Sequence, residues 1–248
     1  MKKLLSIALC ATVFSAFATS TEALLGEVGV TAITSSLSNS IVAVSYDDLA
    51  GGSGMVCSNL VKTTNLTPGD SLVEFRDDKY TGWVLVEDEQ TKVKYWREQL
   101  GAFVDNAGKQ LTLVGSSADT VTNTVGTGIW LVRQNPIDTN GNTNSFYIYG
   151  KPVSNSKSTT VAGKWTLIGN PKQETVTITE DKVVGASYLD ELVVPVDPDG
   201  KLCRYQFKEG NGWRTTDANG EWVKDEPPKL GAGLGCWILT QKDASITW

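Results

Sequence analysis

The chain has 248 residues and a formal net charge of −6, enough length for two domains of about 100 residues each. It contains no histidine, which excludes Ser-His-Asp and Cys-His catalysis and the zinc sites built on imidazole. Its Lys and Arg are mostly scattered singly, so nucleic acid and anionic membranes are disfavoured as partners, because phosphate contacts need clustered cations.

The N-terminus reads as a secretory signal peptide over residues 1–23. Lys2 and Lys3 form the charged head, and Leu4 to Phe17 is an apolar stretch too short to anchor in a bilayer. Ala16-Phe17-Ala18 offers a small-x-small cleavage site, and Thr21-Glu22-Ala23 a second. Cleavage after Ala18 removes two lysines and no acid, taking the net charge from −6 to −8. Cys10 follows Leu9, where a lipid-attachment motif wants a small residue. No other apolar run reaches membrane-spanning length, so no transmembrane helix is expected in the mature chain. The expected address is exported: periplasm, cell surface or extracellular space.

Beyond the leader the local signals are β. Ser71 to Phe75, Trp83 to Val86, Gln110 to Val114, Ile129 to Arg133, Ser145 to Tyr149 and Thr175 to Thr179 are short runs rich in Val, Ile, Thr and aromatics. Asn140-Gly141, Asp197-Pro198-Asp199-Gly200 and Asp217-Ala218-Asn219-Gly220 read as turns, because Gly and Asn tolerate positive φ and Pro presets the first turn residue. Glu180 to Leu192 has room for a short helical turn. Ser154 to Gly163, rich in Ser, Thr, Lys and Gly, reads as a linker. The expected architecture is all-β, with two related sandwich-like domains over residues 24–150 and 151–248.

The case for two copies rests on motifs. Gly126-Thr127-Gly128-Ile129-Trp130-Leu131-Val132 matches Gly233-Leu234-Gly235-Cys236-Trp237-Ile238-Leu239. Gly69-Asp70-Ser71-Leu72-Val73 matches Leu189-Asp190-Glu191-Leu192-Val193, and Tyr80-Thr81-Gly82-Trp83 matches Gly210-Asn211-Gly212-Trp213. At the front, Asn39 to Val44 aligns with Gly163 to Ile168, which places Val44-Ser45-Tyr46 against Ile168-Gly169-Asn170. The opening Trp165-Thr166-Leu167-Ile168-Gly169-Asn170-Pro171 and the closing Gly-x-Gly-x-Trp resemble a recurring β-sandwich module of bacterial secreted and surface proteins. The likeness extends to signal-bearing exported proteins that carry the module twice, mostly without assigned function. It covers roughly Asn39 to Trp248, implies a fold and an address, and carries no catalytic residue.

The chemistry on offer is sparse. Cleavage leaves Cys57, Cys203 and Cys236, an odd set for an oxidising compartment; Cys203 and Cys236 share one half and are candidates to pair, against the alternative that all three are small buried hydrophobes. Asp47 with Asp48, Asp77 with Asp78, Glu87 with Glu89 and Asp190 with Glu191 are the carboxylate pairs a glycosidase would need, and read better as solvated edge charge. Gly231-x-Gly233-x-Gly235 lacks the strand-then-helix setting of a dinucleotide loop, because a Trp-Ile-Leu strand follows it. Asp138-x-Asn140-x-Asn142 imitates a calcium loop, but its Gly falls two positions early and Tyr149 stands where Glu belongs. No metal or cofactor is expected.

The eight tryptophans stand out. Trp130, Trp165 and Trp237 sit in apolar runs and are expected in the core. Trp83, Trp96, Trp213 and Trp222 sit beside turns and charges, where flat rings stack on pyranose faces, cap a small sandwich core or anchor a protein interface. The function these features support is that of a non-enzymatic structural or interaction protein, with a protein or polysaccharide partner at the cell surface. The alternative is a carbohydrate-binding module using those four tryptophans. A lesser one is an outer-membrane barrel, suggested by the closing Ile246-x-Trp248 and opposed by short, unevenly spaced strands.

Overall fold

A computed structural model describes residues 28–33, 39–49, 53–60, 66–76, 79–99, 101–104, 110–115, 117–119, 122–135, 145–195, 202–208, 212–216, 222–224 and 227–248. The signal peptide, the Asp77-Asp78 pair, Asp138 to Asn142 and the turns at Asn140, Asp197 and Asp217 lie outside these residues. The described chain is nearly all strand. In the N-terminal half these are β1 (Gly29–Ile33), β2 (Asn39–Ala43), β3 (Met55–Val56), β4 (Ser71–Arg76), β5 (Lys79–Glu87), β6 (Lys94–Gln99), β7 (Gly101–Val104), β8 (Gln110–Val114), β9 (Thr122–Asn123), β10 (Gly128–Val132) and β11 (Phe146–Gly150). The C-terminal half holds β12 (Lys157–Thr160), β13 (Trp165–Gly169), β14 (Val176–Thr177), β15 (Val183–Val184), β16 (Glu191–Pro195), β17 (Leu202–Lys208), β18 (Gly212–Thr216), β19 (Trp222–Lys224), β20 (Lys229–Leu230), β21 (Gly235–Leu239) and β22 (Ala244–Thr247). A one-turn helix, α1 (Cys57–Leu60), and a 3₁₀ turn at Glu180–Lys182 complete the elements. No helix among the described residues is long and apolar enough to cross a membrane.

The strand order is the same in both halves where the main sheets meet. One sheet runs β2-β10-β4-β5, continuing to β8 and β7, with β6 also on β5; the other runs β13-β21-β16-β17-β18-β19. The small pairs β3–β9 and β14–β20, and β1–β11 and β12–β22, flank them. Alternation along each strand divides its residues between two faces. In the first sheet Val42, Leu72, Trp83, Leu85, Ile129 and Leu131 point into one core, shared with Phe146 and Ile148 of β11. In the second Ile168, Leu192, Phe207, Trp213, Cys236 and Ile238 point into another, shared with Ile246 of β22.

Compared by strand pairing, the two halves superpose differently from the motifs at two places. Ala43 stands opposite Gly128, and Gly169 opposite Gly235. Asn39–Ala43 therefore corresponds to Trp165–Gly169, two residues later than the motif alignment; an even shift leaves every side chain on its own face. Trp213 stands opposite Phe207 as Trp96 stands opposite Leu85, so the partner of Trp213 is Trp96, while Trp83 matches Tyr205. The hairpin after β5 spans more residues than the one after β17, and the short Gly-Trp likeness hid that difference.

The segment Ser154 to Gly163 also departs from expectation: β12 lies within it. Ser156, Ser158 and Thr160 are buried at alternate positions. Their hydroxyls take the place of apolar groups. Ser158 Oγ donates to Gly126 O at 2.7 Å and accepts from Trp248 Nε1 at 2.6 Å. Thr160 Oγ1 bonds Thr240 Oγ1 at 2.7 Å.

The second face of each sheet packs against the other sheet. Ala43 N donates to Gly233 O and Gly169 N donates to Gly126 O, each at 2.8 Å, so each half reaches into the turn that opens the other's Gly-x-Gly-x-Trp strand. Isolated bridges Val42–Leu234 and Thr127–Ile168 repeat that reciprocity. Gly126 and Gly233 have φ of +93° and +67°, conformations that an L side chain adopts only under strain. Gly169 lies on Ala43: a Cβ there would sit 2.5 Å from the Ala43 Cβ.

Gly169→Ala is therefore expected to cost about 1–3 kcal/mol through overpacking. The double variant A43G/G169A should recover part of that loss. Urea denaturation of the two variants and the parent chain measures both.

Candidate functional site

Burial divides the described tryptophans differently from their sequence settings. Trp83 and Trp213, expected beside loops, are 0% and 3% exposed, and Trp96 packs against the N-terminal core. Trp222 lies in β19 opposite Thr216. Trp130, Trp165 and Trp237, expected in the core, are half-buried. The reason is strand parity: Ile129 and Leu131 take the core side of β10, and Cys236 and Ile238 that of β21, so the Trp between them must face the other sheet. Trp96 and Trp213 share a further feature, since the buried indole N–H of each lacks an acceptor. Trp83, Trp96 and Trp213 thus supply core area in place of an open stacking face.

The turned-out aromatics form a row across the junction of the sheets. Tyr80 and Phe75 have ring centroids 4.8 Å apart, Phe75 and Trp237 5.1 Å, and Trp237 and Trp165 6.4 Å with perpendicular planes. Beside this row opens a cleft of about 370 Å³, within the size range of small-ligand sites. Its walls are runs of consecutive residues: Glu74, Phe75 and Arg76 from β4; Lys157 to Thr159 from β12; Lys164 to Ile168 leading into β13. Consecutive residues line a cavity when strands present an edge, because a sheet face shows only every second side chain.

Local structure explains each wall. β10 pairs with β4 only at Ser71 to Val73, so Glu74 to Arg76 extend beyond it. Arg76 pairs with the nearly buried Glu74 at 2.6 Å, and its Nη2 also donates to Asn123 Oδ1 at 3.0 Å and Thr122 O at 3.2 Å. That network fixes the guanidinium at the cleft wall while leaving its side chain 55% exposed. Asn123 Nδ2 donates to Cys57 Sγ at 3.2 Å. Burial first, and the Glu74 charge second, push the Cys57 thiol up; burial alone does the same to Cys236. Both sulfurs are therefore held protonated and act as small apolar groups.

The Cys203–Cys236 pairing does not occur: all three thiols are free. Val194 faces Cys203 across one ladder, and β16 separates β17 from β21. Two strand spacings, about 9.5 Å, exceed the reach of a disulfide.

Among the described residues, a member of each remaining carboxylate pair carries a structural bond. Asp47 Oδ1 accepts the Gly54 N–H and Asp48 Oδ2 accepts Asn59 Nδ2. Glu87 pairs with Lys92 at 3.6 Å. Glu191 is held by Arg204 in a two-pronged pair, with Nε to Oε2 at 3.1 Å. Asp190 accepts backbone N–H groups from Ser187 and Gln241, each at 2.7 Å, as Asp70 accepts them from Thr67 and Gln134 at 2.8 and 2.7 Å. Burial pushes the Asp190 carboxyl up against the pull of these N–H bonds and of Lys242. This matched clamp was legible only as the aligned Gly69-Asp70 and Leu189-Asp190 strings, with no hint of what the Asp bonds. Among the described residues, no group of three or more Cys, Asp or Glu side chains is placed to hold a metal ion. No family model, curated protein or solved structure matches the chain.

Two outcomes follow from these placements. Trp213→Phe and Trp248→Phe remove similar volume, but only the second breaks a hydrogen bond, so Trp248→Phe should be the more destabilising by about 1 kcal/mol in chemical denaturation. A thiol reagent applied to the folded, leader-free chain should label Cys203 alone, with Cys57 and Cys236 reacting only after unfolding.

Proposed function

We propose that the chain is an exported, non-enzymatic interaction protein of the bacterial envelope or cell surface, and that its binding surface is the cleft where the two halves meet. The observation that carries this reading is the cleft itself: strand edges, exposed Arg76 and Lys157, and the half-buried Trp165 border one open cavity. Two of its polar groups are already engaged within the fold, which fixes the wall that a partner would meet. Glu74 is tied to Arg76, and Ser158 Oγ both donates and accepts within the fold. The leader-like residues 1–23 support export. The matching strand orders, reciprocal bonds and paired Asp clamps support an origin of the two halves by duplication of one β-sandwich-like domain.

The glycan-binding alternative loses its proposed surface at Trp83 and Trp213, which are buried. The barrel alternative needs a sheet closed on itself, whereas each described sheet follows an open strand path.

The test is expression of the full chain in a Gram-negative host with a photo-crosslinking residue at Lys157, or at the core position Trp83 as control. The expected result is recovery outside the cytoplasm with a new N-terminus after Ala18 or Ala23, and a discrete envelope adduct from position 157 only. Retention in the cytoplasm with Lys2 still present, or equal adducts from both positions, would refute the reading.

A further inference from the structure

Resting on that reading of the cleft, we infer that its occupant is an extended acidic peptide segment of a partner protein, added as a strand along the open edges of β12 and β13. The first observation is the direction of the backbone. In an antiparallel ladder, peptide groups point alternately toward and away from the paired strand. Asn170 N donates to Leu234 O beside β21, whereas Gly169 N turns the other way, to Gly126 O. By the same alternation Trp165 directs its peptide group away from β21, toward the cleft that it lines, whereas that of Leu167 flanks the Thr127–Ile168 bridge to the other half. On β12, Ser156 O accepts the Trp248 N–H on the β22 side, so Lys157 and Thr159 direct theirs outward into the same cleft. No described strand pairs with these outward edges beyond the bridge at Ile168, where β10 approaches the end of β13. Open edges recruit an extended chain through main-chain hydrogen bonds.

The second observation is charge. Arg76, Lys157 and Lys164 line the cleft against the single carboxylate of Glu74, in a chain whose net charge is −6. A local cationic excess on an acidic protein selects an acidic partner and opposes a second copy of the same chain. Phe75 and Trp165 line the same cleft and offer an apolar wall to alternate side chains of the added strand.

The test uses the exported chain, purified without detergent and titrated with the capped hexapeptide acetyl-Glu-Val-Glu-Phe-Glu-Val-amide. Its all-Lys counterpart and polygalacturonate are titrated in parallel, with binding followed by calorimetry and Trp emission. Two variants separate charge from backbone: Lys157→Glu reverses one cation, and Thr159→Pro removes an outward N–H that an edge strand can spare. Thermal melts of both establish that they fold. The expected result is saturable binding of the acidic peptide alone, weakened about tenfold by Lys157→Glu and by added salt, and lost in folded Thr159→Pro. Peptide binding indifferent to both variants would overturn the inference. So would binding of polygalacturonate without the peptide, which identifies a glycan site. Binding of none of the probes also overturns it, while the export and cross-linking results decide the broader reading independently.

Discussion

The close approach of Ala43 to Gly169 across the junction of the halves is the constraint on which the rest depends. Two sheets whose centres carried ordinary side chains would stay about 10 Å apart. Here Gly169, Gly128 and Gly235 leave one layer bare, and a Cβ on Gly128 would sit 2.8 Å from Ile168 O. The bare layer lets Ala43 N and Gly169 N reach carbonyls in the opposite half. Backbone hydrogen bonds in a dry interface fix orientation more tightly than apolar contact alone, because leaving them unmade has a high cost. The Gly-x-Gly-x-Trp strings are the sequence trace of this contact. Their first Gly takes positive φ and offers its carbonyl across the junction, the second removes a Cβ, and the Trp fills the space beside it.

The cleft follows from that contact. The sheets touch where β2 and β10 meet β13 and β21, and twisted strands diverge away from a close crossing. β4 outruns β10 at its end, and β12 turns into β13 through the bond from Lys164 N to Val161 O. A wedge remains between them, walled by edges. The aromatic row Tyr80–Phe75–Trp237–Trp165 closes the apolar side of the junction, and the Arg76 network closes the polar side. Tightness at the glycines and openness at the wedge are two consequences of one geometry.

Much of the strand content was legible because Val, Ile, Thr and aromatic residues gather in short runs. Ser71 to Phe75, Gln110 to Val114 and Ile129 to Arg133 announced β4, β8 and β10 almost to the residue. β12 was hidden because its buried positions are hydroxyls, and Ser and Thr also signal linkers. The site was less legible still. A Trp in an apolar run looks like core, yet in a strand with two apolar faces nothing local says which face meets its own half's hairpins and which meets the other half. Trp237 and Trp83 changed places for that reason.

By itself, the sequence determined the all-β class, most strand positions and the two Gly-x-Gly-x-Trp strings, because propensity, alternation and turn chemistry act over a few residues. Only the tertiary structure decided the partners of those glycines, the separation of Cys203 from Cys236, the shared clamp of Asp70 and Asp190, and the gathering of Phe75, Arg76, Lys157 and Trp165 around one cleft. Those depend on which sheet faces which, and that is set by contacts between residues some 90 to 125 positions apart, such as Gly169 with Ala43 and Trp248 with Ser158.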